Sequence, residues 1–234
     1  MKINYIIATW SGQRINGYSD FNYYQSVLKR HILELNKIKN NIDQITIMKP
    51  FNPIHNTYYD IELNDKIKII DCENKYQSYG QWMKAIELFL DDFDYFIFIE
   101  DDYVPGTHNF DKKLIEIYEE GSYLCSKISE NYAVFHCEVS NGIISKNTIK
   151  KLFEKHKYNV WFDEYAKLNP YFIFHHTNYQ VAFSRFLFEN GIKLIDYRNQ
   201  YLVDFYVHAK VWDYSLPNAK NNEKIFTPIQ NILC

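Results

Sequence analysis

Residues 81–102 read QWMKAIELFLDDFDYFIFIEDD, and the changes of pattern within them decide the fold. Gln81 to Leu90 has helical composition, and Trp82, Ala85, Ile86 and Phe89 are spaced to form one buried face. Asp91-Asp92-Phe93-Asp94 breaks that face. Tyr95 to Ile99 is then continuously apolar, as expected of a central strand covered on both sides. The run stops abruptly at three carboxylates, Glu100-Asp101-Asp102.

Upstream, Ile3 to Thr9 is a second short apolar run, ending in Trp10-Ser11-Gly12, and reads as a buried strand feeding a loop. Ser19-Asp20 then precedes apolar residues at Val27, Leu28, Ile32, Leu35 and Ile38, which suit a helix capped by Ser19 or Asp20. Further strands fit Gln44 to Met48, stopped by Pro50 and Pro53, and Ile67 to Asp71. The order strand, helix, strand, strand, helix, strand predicts a Rossmann-like α/β domain with a mostly parallel central sheet and helices on both faces. In such sheets ligands lie beyond the carboxyl ends of the strands, so the loop after Thr9 and the acids after Ile99 should face one crevice.

Beyond Pro105 the pattern becomes mixed. A helix is expected near Asp111 to Glu119, strands near Ala133 to Cys137 and Gly142 to Ile144, and a helix from Lys146 to Lys155. Another helix fits Tyr179 to Glu189, closed by Gly191 and followed by a strand over Ile192 to Tyr197. With no linker or repeat, one domain over 1–234 is expected, its pattern dividing it into a first half (1–105) and a second (106–234).

Composition narrows the function. Apolar residues make up 47% of the 234, enough for a sizeable core. A net charge of −3, with no basic run among aromatics, argues against nucleic acid as a partner. The 21 Tyr and 17 Phe offer flat faces for bases and sugar rings, although A/T-rich codons alone would enrich the same residues. Cys72, Cys125, Cys137 and Cys234 form no C-x-x-C pair, so reduced thiols are expected. The stretch Tyr5 to Ala8 is too short for a signal-peptide core, and no run of about 18 apolar residues occurs. A soluble, cytoplasmic protein is expected.

Three adjacent carboxylates at a partly desolvated strand tip repel one another. A hard cation with oxygen ligands removes that cost, and Mg²⁺ or Mn²⁺ bridging to phosphate oxygens is a common arrangement. A solvated acidic turn is the competing reading.

The wider context favours the cation. From Tyr79 to Pro105 the chain runs Tyr-Gly-Gln-Trp-Met-Lys-Ala-Ile, a helix, Asp-Tyr, an apolar strand, Glu-Asp-Asp, two residues, Pro. This resembles the GT-A fold of nucleotide-sugar-dependent glycosyltransferases, whose D-x-D-type metal motif ends a strand in the same way. The resemblance implies Asp102 on a Mn²⁺ or Mg²⁺ ion, Asp101 near the ribose or the metal, and Glu100 as a further metal ligand. Ile6 to Trp10 is similar to the family's first strand, which implies Thr9, Trp10 and Arg14 beside the nucleotide, with Tyr79 counted among its neighbours. Trp10 would stack on the base and the forked guanidinium of Arg14 would pair with the diphosphate. The acid that often follows the second strand and contacts uracil is replaced by Lys49-Pro50, so the base stays open between UDP and GDP.

Ser140 to Ser145 is similar to the segment that shapes the family's sugar pocket. His208 matches a late metal ligand used by many members, with His175 and His176 as competing candidates. An inverting member would carry its catalytic acid roughly a dozen residues before Gly191, where Asn178-Tyr179-Gln180 stands instead. Either Asp163 or Glu164 then acts as the base, or the reaction retains configuration and needs none. The resemblance thus implies a metal-dependent glycosyltransferase moving a sugar from a UDP- or GDP-sugar to a hydroxyl acceptor on a glycan, protein or lipid. A non-catalytic nucleotide-sugar or glycan-binding module is the alternative. A nucleotidyltransferase is disfavoured, because Thr9 to Arg14 is too poor in Gly for a phosphate loop.

Overall fold

Two short, mostly apolar runs, expected as strands buried on both faces, form the centre of the sheet. In a computed structural model, which describes residues 1–9, 21–51, 61–129, 136–154, 156, 175–201 and 205–208, these runs are β1 (Ile3–Ala8) and β4 (Tyr95–Glu100). They pair in parallel, with Ile7 opposite Ile99 and Ala8 opposite Glu100. Outside β1 lie β2 (Gln44–Pro50) and β3 (Ile67–Cys72), also parallel. On the other side β7 (His136–Ser145) runs antiparallel to β4 and to β6 (Ser122–Ser129), and β6 runs parallel to β8 (Lys193–Asp196). The seven-stranded order is β3-β2-β1-β4-β7-β6-β8. It is mostly parallel, as the alternation of elements predicts.

Alternation along β1 and β4 divides the core in two. Ile6, Ala8, Phe96 and Phe98 point to one face, covered by α2 (Gln77–Phe89), α4 (Lys146–Phe153) and α5 (His175–Glu189). Ile3, Tyr5, Ile7, Ile97 and Ile99 point to the other, covered by α1 (Phe21–Lys37), α3 (Phe110–Glu116) and α6 (Tyr197–Tyr201). On the first face Trp82 stacks on Phe98, with ring centres 5.3 Å apart and planes 13° apart. Among the described residues, no helix is long and apolar enough to cross a membrane.

Several boundaries differ from the sequence-based expectation. Helix α2 begins at Gln77, four residues before the expected start at Gln81. Tyr76 and Gln77 are left-handed, at φ 64° and 56°, and the carbonyl of Lys75 lies where a side chain on residue 80 would be, so only Gly80 fits there. Helix α5 likewise begins at His175 rather than Tyr179, while Gly191 closes it at φ 77° as expected. Strand β6 has no counterpart in the sequence reading, because only Tyr123, Leu124 and Cys125 make a contiguous apolar core in it. The two strands expected over Ala133 to Ile144 are one strand from His136 onward within the described residues. The N-cap candidates Ser19 and Asp20 lie outside the described residues.

Gly142, in the middle of β7, is explained by a ring from the next strand. A Cβ there would collide with the Tyr123 hydroxyl and come within 2.9 Å of the Leu124 carbonyl oxygen. Tyr123 is wholly buried between Phe98 and Phe183 and has no room to retreat. Gly142→Ala should therefore cost about 1–3 kcal/mol of stability, lowering the melting midpoint by roughly 2–12 °C. A thermal melt checks this; an unchanged midpoint would mean that the Tyr123 ring yields.

Candidate active site at the strand tips

Parallel pairing of β1 and β4 brings the end of one apolar run beside the end of the other, and the acids emerge there. The Asp101 amide donates to the Ala8 carbonyl at 3.0 Å, continuing the pairing past the last strand residue. Glu100 follows the alternation toward α2, where the Ser78 hydroxyl donates to its Oε1 at 2.5 Å. Gln81 of the same helix clasps the peptide of Thr9: its Oε1 accepts from the Thr9 amide at 2.9 Å, and its Nε2 donates to the Thr9 carbonyl at 3.0 Å. The Thr9 hydroxyl donates to the Met48 carbonyl at 2.6 Å, joining the tips of β1 and β2. Trp82 Nε1 reaches the Ile99 carbonyl at 3.3 Å. One end of α2 thus holds both strand tips.

The opposite face supplies a second support. His31 of α1 is buried, with Nδ1 3.1 Å from the Asp101 carbonyl oxygen and Nε2 2.9 Å from the Tyr5 hydroxyl. Burial pushes this imidazole down from its ordinary 6.5 to about 4, against upward pulls from the Asp101 carbonyl and the Asp102 charge. The unfolded chain takes up a proton at this ring in a pH range where the folded chain does not. Stability should therefore rise with pH between about 4 and 6.5, and acidification should remove it. Between pH 7 and pH 4.5 the His31 share of the loss is on the order of 2–3 kcal/mol. Urea unfolding in chelator at both pH values, with His31→Asn as reference, should show a loss larger by that amount in the wild type.

Short strands complete the rim. Strand β5 (Tyr103–Pro105) follows the acids directly and pairs antiparallel with β9 (Tyr206–His208), setting His208 opposite Tyr103. Strand β7 places Asn141 opposite Ile99, one residue before the triplet, and the buried Asn141 Oδ1 accepts from the Tyr197 hydroxyl at 2.6 Å. At the tips of β2 and β3, Lys49 pairs with Asp71 at 2.9 Å.

The structure thus brings Thr9, Glu100, Asp101, Asp102 and the backbone of His208 to one end of the sheet. Tyr79 is packed in the core instead, 4% exposed, against Trp82 and Phe183. His175 and His176 open α5. Trp10, Arg14, Asp163 and Glu164 lie outside the described residues. Among the described residues no three His, Cys, Asp or Glu side chains converge to hold a metal ion. Ser78, Gln81 and His31 were not singled out by the sequence reading. The signal for His31 was present: it interrupts the apolar stripe Leu28, Ile32, Leu35, and a polar residue on a buried face is the informative exception.

No family model matches the chain, and no curated protein matches it. Solved structures do. The galactosyltransferase LgtC, in complex with donor and acceptor sugar analogues, aligns at TM-score 0.61 and 11% identity over 96% of this chain and 95% of its own. An active-site mutant of LgtC aligns at 0.56 and 11% over 84% of this chain and 73% of its own. The glycosyltransferase GlyE of Streptococcus pneumoniae TIGR4 aligns at 0.52 and 11%, over 86% of this chain and 46% of its own. The chain has a GT-A-like fold. At 11% identity the likeness is one of fold. Within the GT-A-like sheet the acid triplet stands at the carboxyl end of β4, the end of the strands at which open α/β sheets bind ligands.

Proposed function

We propose that this chain is a metal-dependent glycosyltransferase that moves a sugar from a nucleotide diphosphate donor to a hydroxyl acceptor. One observation carries the reading: in a GT-A-like sheet, three carboxylates stand at the tip of β4, beside the tip of β1, with the start of α2 bonded to the first of them. Mn²⁺ and Mg²⁺ prefer oxygen donors, and Mg²⁺ in phosphate sites takes only one or two carboxylates from the protein. A pair such as Asp102 and Glu100 therefore fits, even without three converging side chains. The pairing of β5 with β9 supports His208 as a further ligand, since it sets that residue one position past Asp102 on the opposite strand.

A bound cation would offset charge growing on the departing diphosphate. The chain's own residues bind and orient. Thr9, held from both sides, forms the floor under the nucleotide; Trp10 stacks on the base, Arg14 pairs with the diphosphate, Asp101 meets the ribose, and Tyr79 supports this wall from the core. UDP- and GDP-sugars are the donors to try first, and a glycan hydroxyl the first acceptor. If the reaction inverts configuration, Asp163 or Glu164 takes the acceptor proton. A binding module without turnover is the second reading, favoured by Gln180, which stands where an inverting enzyme would carry an acid.

Incubating the protein with Mn²⁺ and UDP- or GDP-sugars, with and without glycan acceptors, separates the two. Acceptor-dependent release of nucleotide diphosphate is expected. Tight donor binding without release from any acceptor would favour the binding module.

A further inference from the structure

We propose that Tyr5 and His31 form a buried relay that positions the acid triplet from behind, through the main chain of Asp101. The proposal rests on the reading that the triplet is the ligand-bearing tip of the site. Its geometry is directional at both ends. The Asp101 carbonyl oxygen, 3.1 Å from His31 Nδ1, can only accept, so Nδ1 carries the hydrogen. In the neutral ring Nε2 then presents a lone pair, and the Tyr5 hydroxyl at 2.9 Å donates to it. The Asp101 amide is bonded at the same time to the Ala8 carbonyl. Asp101 is thereby fixed on both sides, by β1 through its amide and by α1 through its carbonyl.

A side chain that merely filled this space would be apolar. His31 sits among Leu28, Ile32 and Leu35, where burying an imidazole carries a desolvation cost that leucine would avoid. Tyr5 is wholly buried too, and the ring of Phe110 stands edge-on to it at 5.8 Å, 76° between planes. Phe110 in turn meets the ring of Tyr206 at 5.6 Å. Tyr206 belongs to β9, the strand that ends in His208. A single buried cluster thus reaches Asp101 by hydrogen bonds and β9 by ring packing, linking the two sides of the candidate site.

Two isosteres separate positioning from filling. In His31→Asn the side-chain amide takes the place of Nδ1, keeping a donor for Asp101 and losing Tyr5. In His31→Gln it takes the place of Nε2, keeping Tyr5 and losing Asp101. Both lose one of two hydrogen bonds and should melt at similar temperatures. Amide exchange of the segment 100–103, in chelator and without ligand, should be at least about tenfold faster in His31→Gln than in His31→Asn. Mn²⁺-dependent UDP or GDP affinity should fall at least about tenfold in His31→Gln and stay within about threefold of wild type in His31→Asn. Equal exchange rates in the two variants would overturn the relay. Should His31→Gln fail to fold, Tyr5→Phe replaces it: its segment 100–103 must exchange several-fold faster than wild type, and an unchanged rate overturns the relay. A wild-type protein that binds neither nucleotide would reject the proposed function instead, and the exchange comparison would still decide the relay.

Discussion

Asp102→Asn is expected to reduce sugar transfer by on the order of 10²–10³-fold or more, the scale seen when one preorganised charge-stabilising group is lost. The melting midpoint in chelator should meanwhile stay unchanged or rise slightly. The reasoning is electrostatic on both counts. Three carboxylates in consecutive positions at a strand tip repel one another, so neutralising one relieves the folded protein. The same charge is what the proposed site offers a cation that faces the diphosphate. Activity assays paired with thermal melts test this. A midpoint lowered by many degrees without metal would make Asp102 a structural residue.

His208→Ala should weaken metal-dependent binding of UDP or GDP at least about tenfold, judged from the smaller losses that follow removal of outer partners of metal ligands. Binding of the free nucleoside, which carries no phosphate for the ion to bridge, should not change. Because imidazole ligates only when neutral, wild-type affinity should also fall on acidification, and the alanine variant should lose that dependence. Calorimetry at several pH values reads both effects. Unaltered nucleotide affinity in the variant would move the assignment to His175 or His176.

The first half of the fold was legible because its signals are contiguous. YFIFI is an uninterrupted apolar run, INYIIAT is apolar but for Asn4 and Thr9, and the spacing of Trp82, Ala85, Ile86 and Phe89 fits a helix face. Strand β6 escaped because its polar residues, Ser122, Ser126 and Lys127, dilute the pattern. Strands β5 and β9 have three residues each, too few for any periodicity, and only their pairing defines them. For the same reason His208 is singled out in the sequence by resemblance alone, and its position opposite Tyr103 needs the structure.

The candidate site divides in the same way. The acids announce themselves by charge at the end of an apolar strand. The groups that hold them do not: Gln81 clasps Thr9 across 72 residues, and His31 reaches Asp101 across 70. Contacts at such separations leave no local pattern. What remained visible was an anomaly of type, a histidine in an apolar stripe and a glutamine at the head of an apolar helix face.

The most direct test of the metal-dependent nucleotide site is calorimetric titration of the protein with UDP and with GDP, first in Mn²⁺ and then in excess chelator. The account predicts binding of at least one of the two in Mn²⁺ and a large loss of that affinity once the metal is removed, since two charged phosphates must approach Asp101 and Asp102. Equal affinity with and without the metal would contradict it.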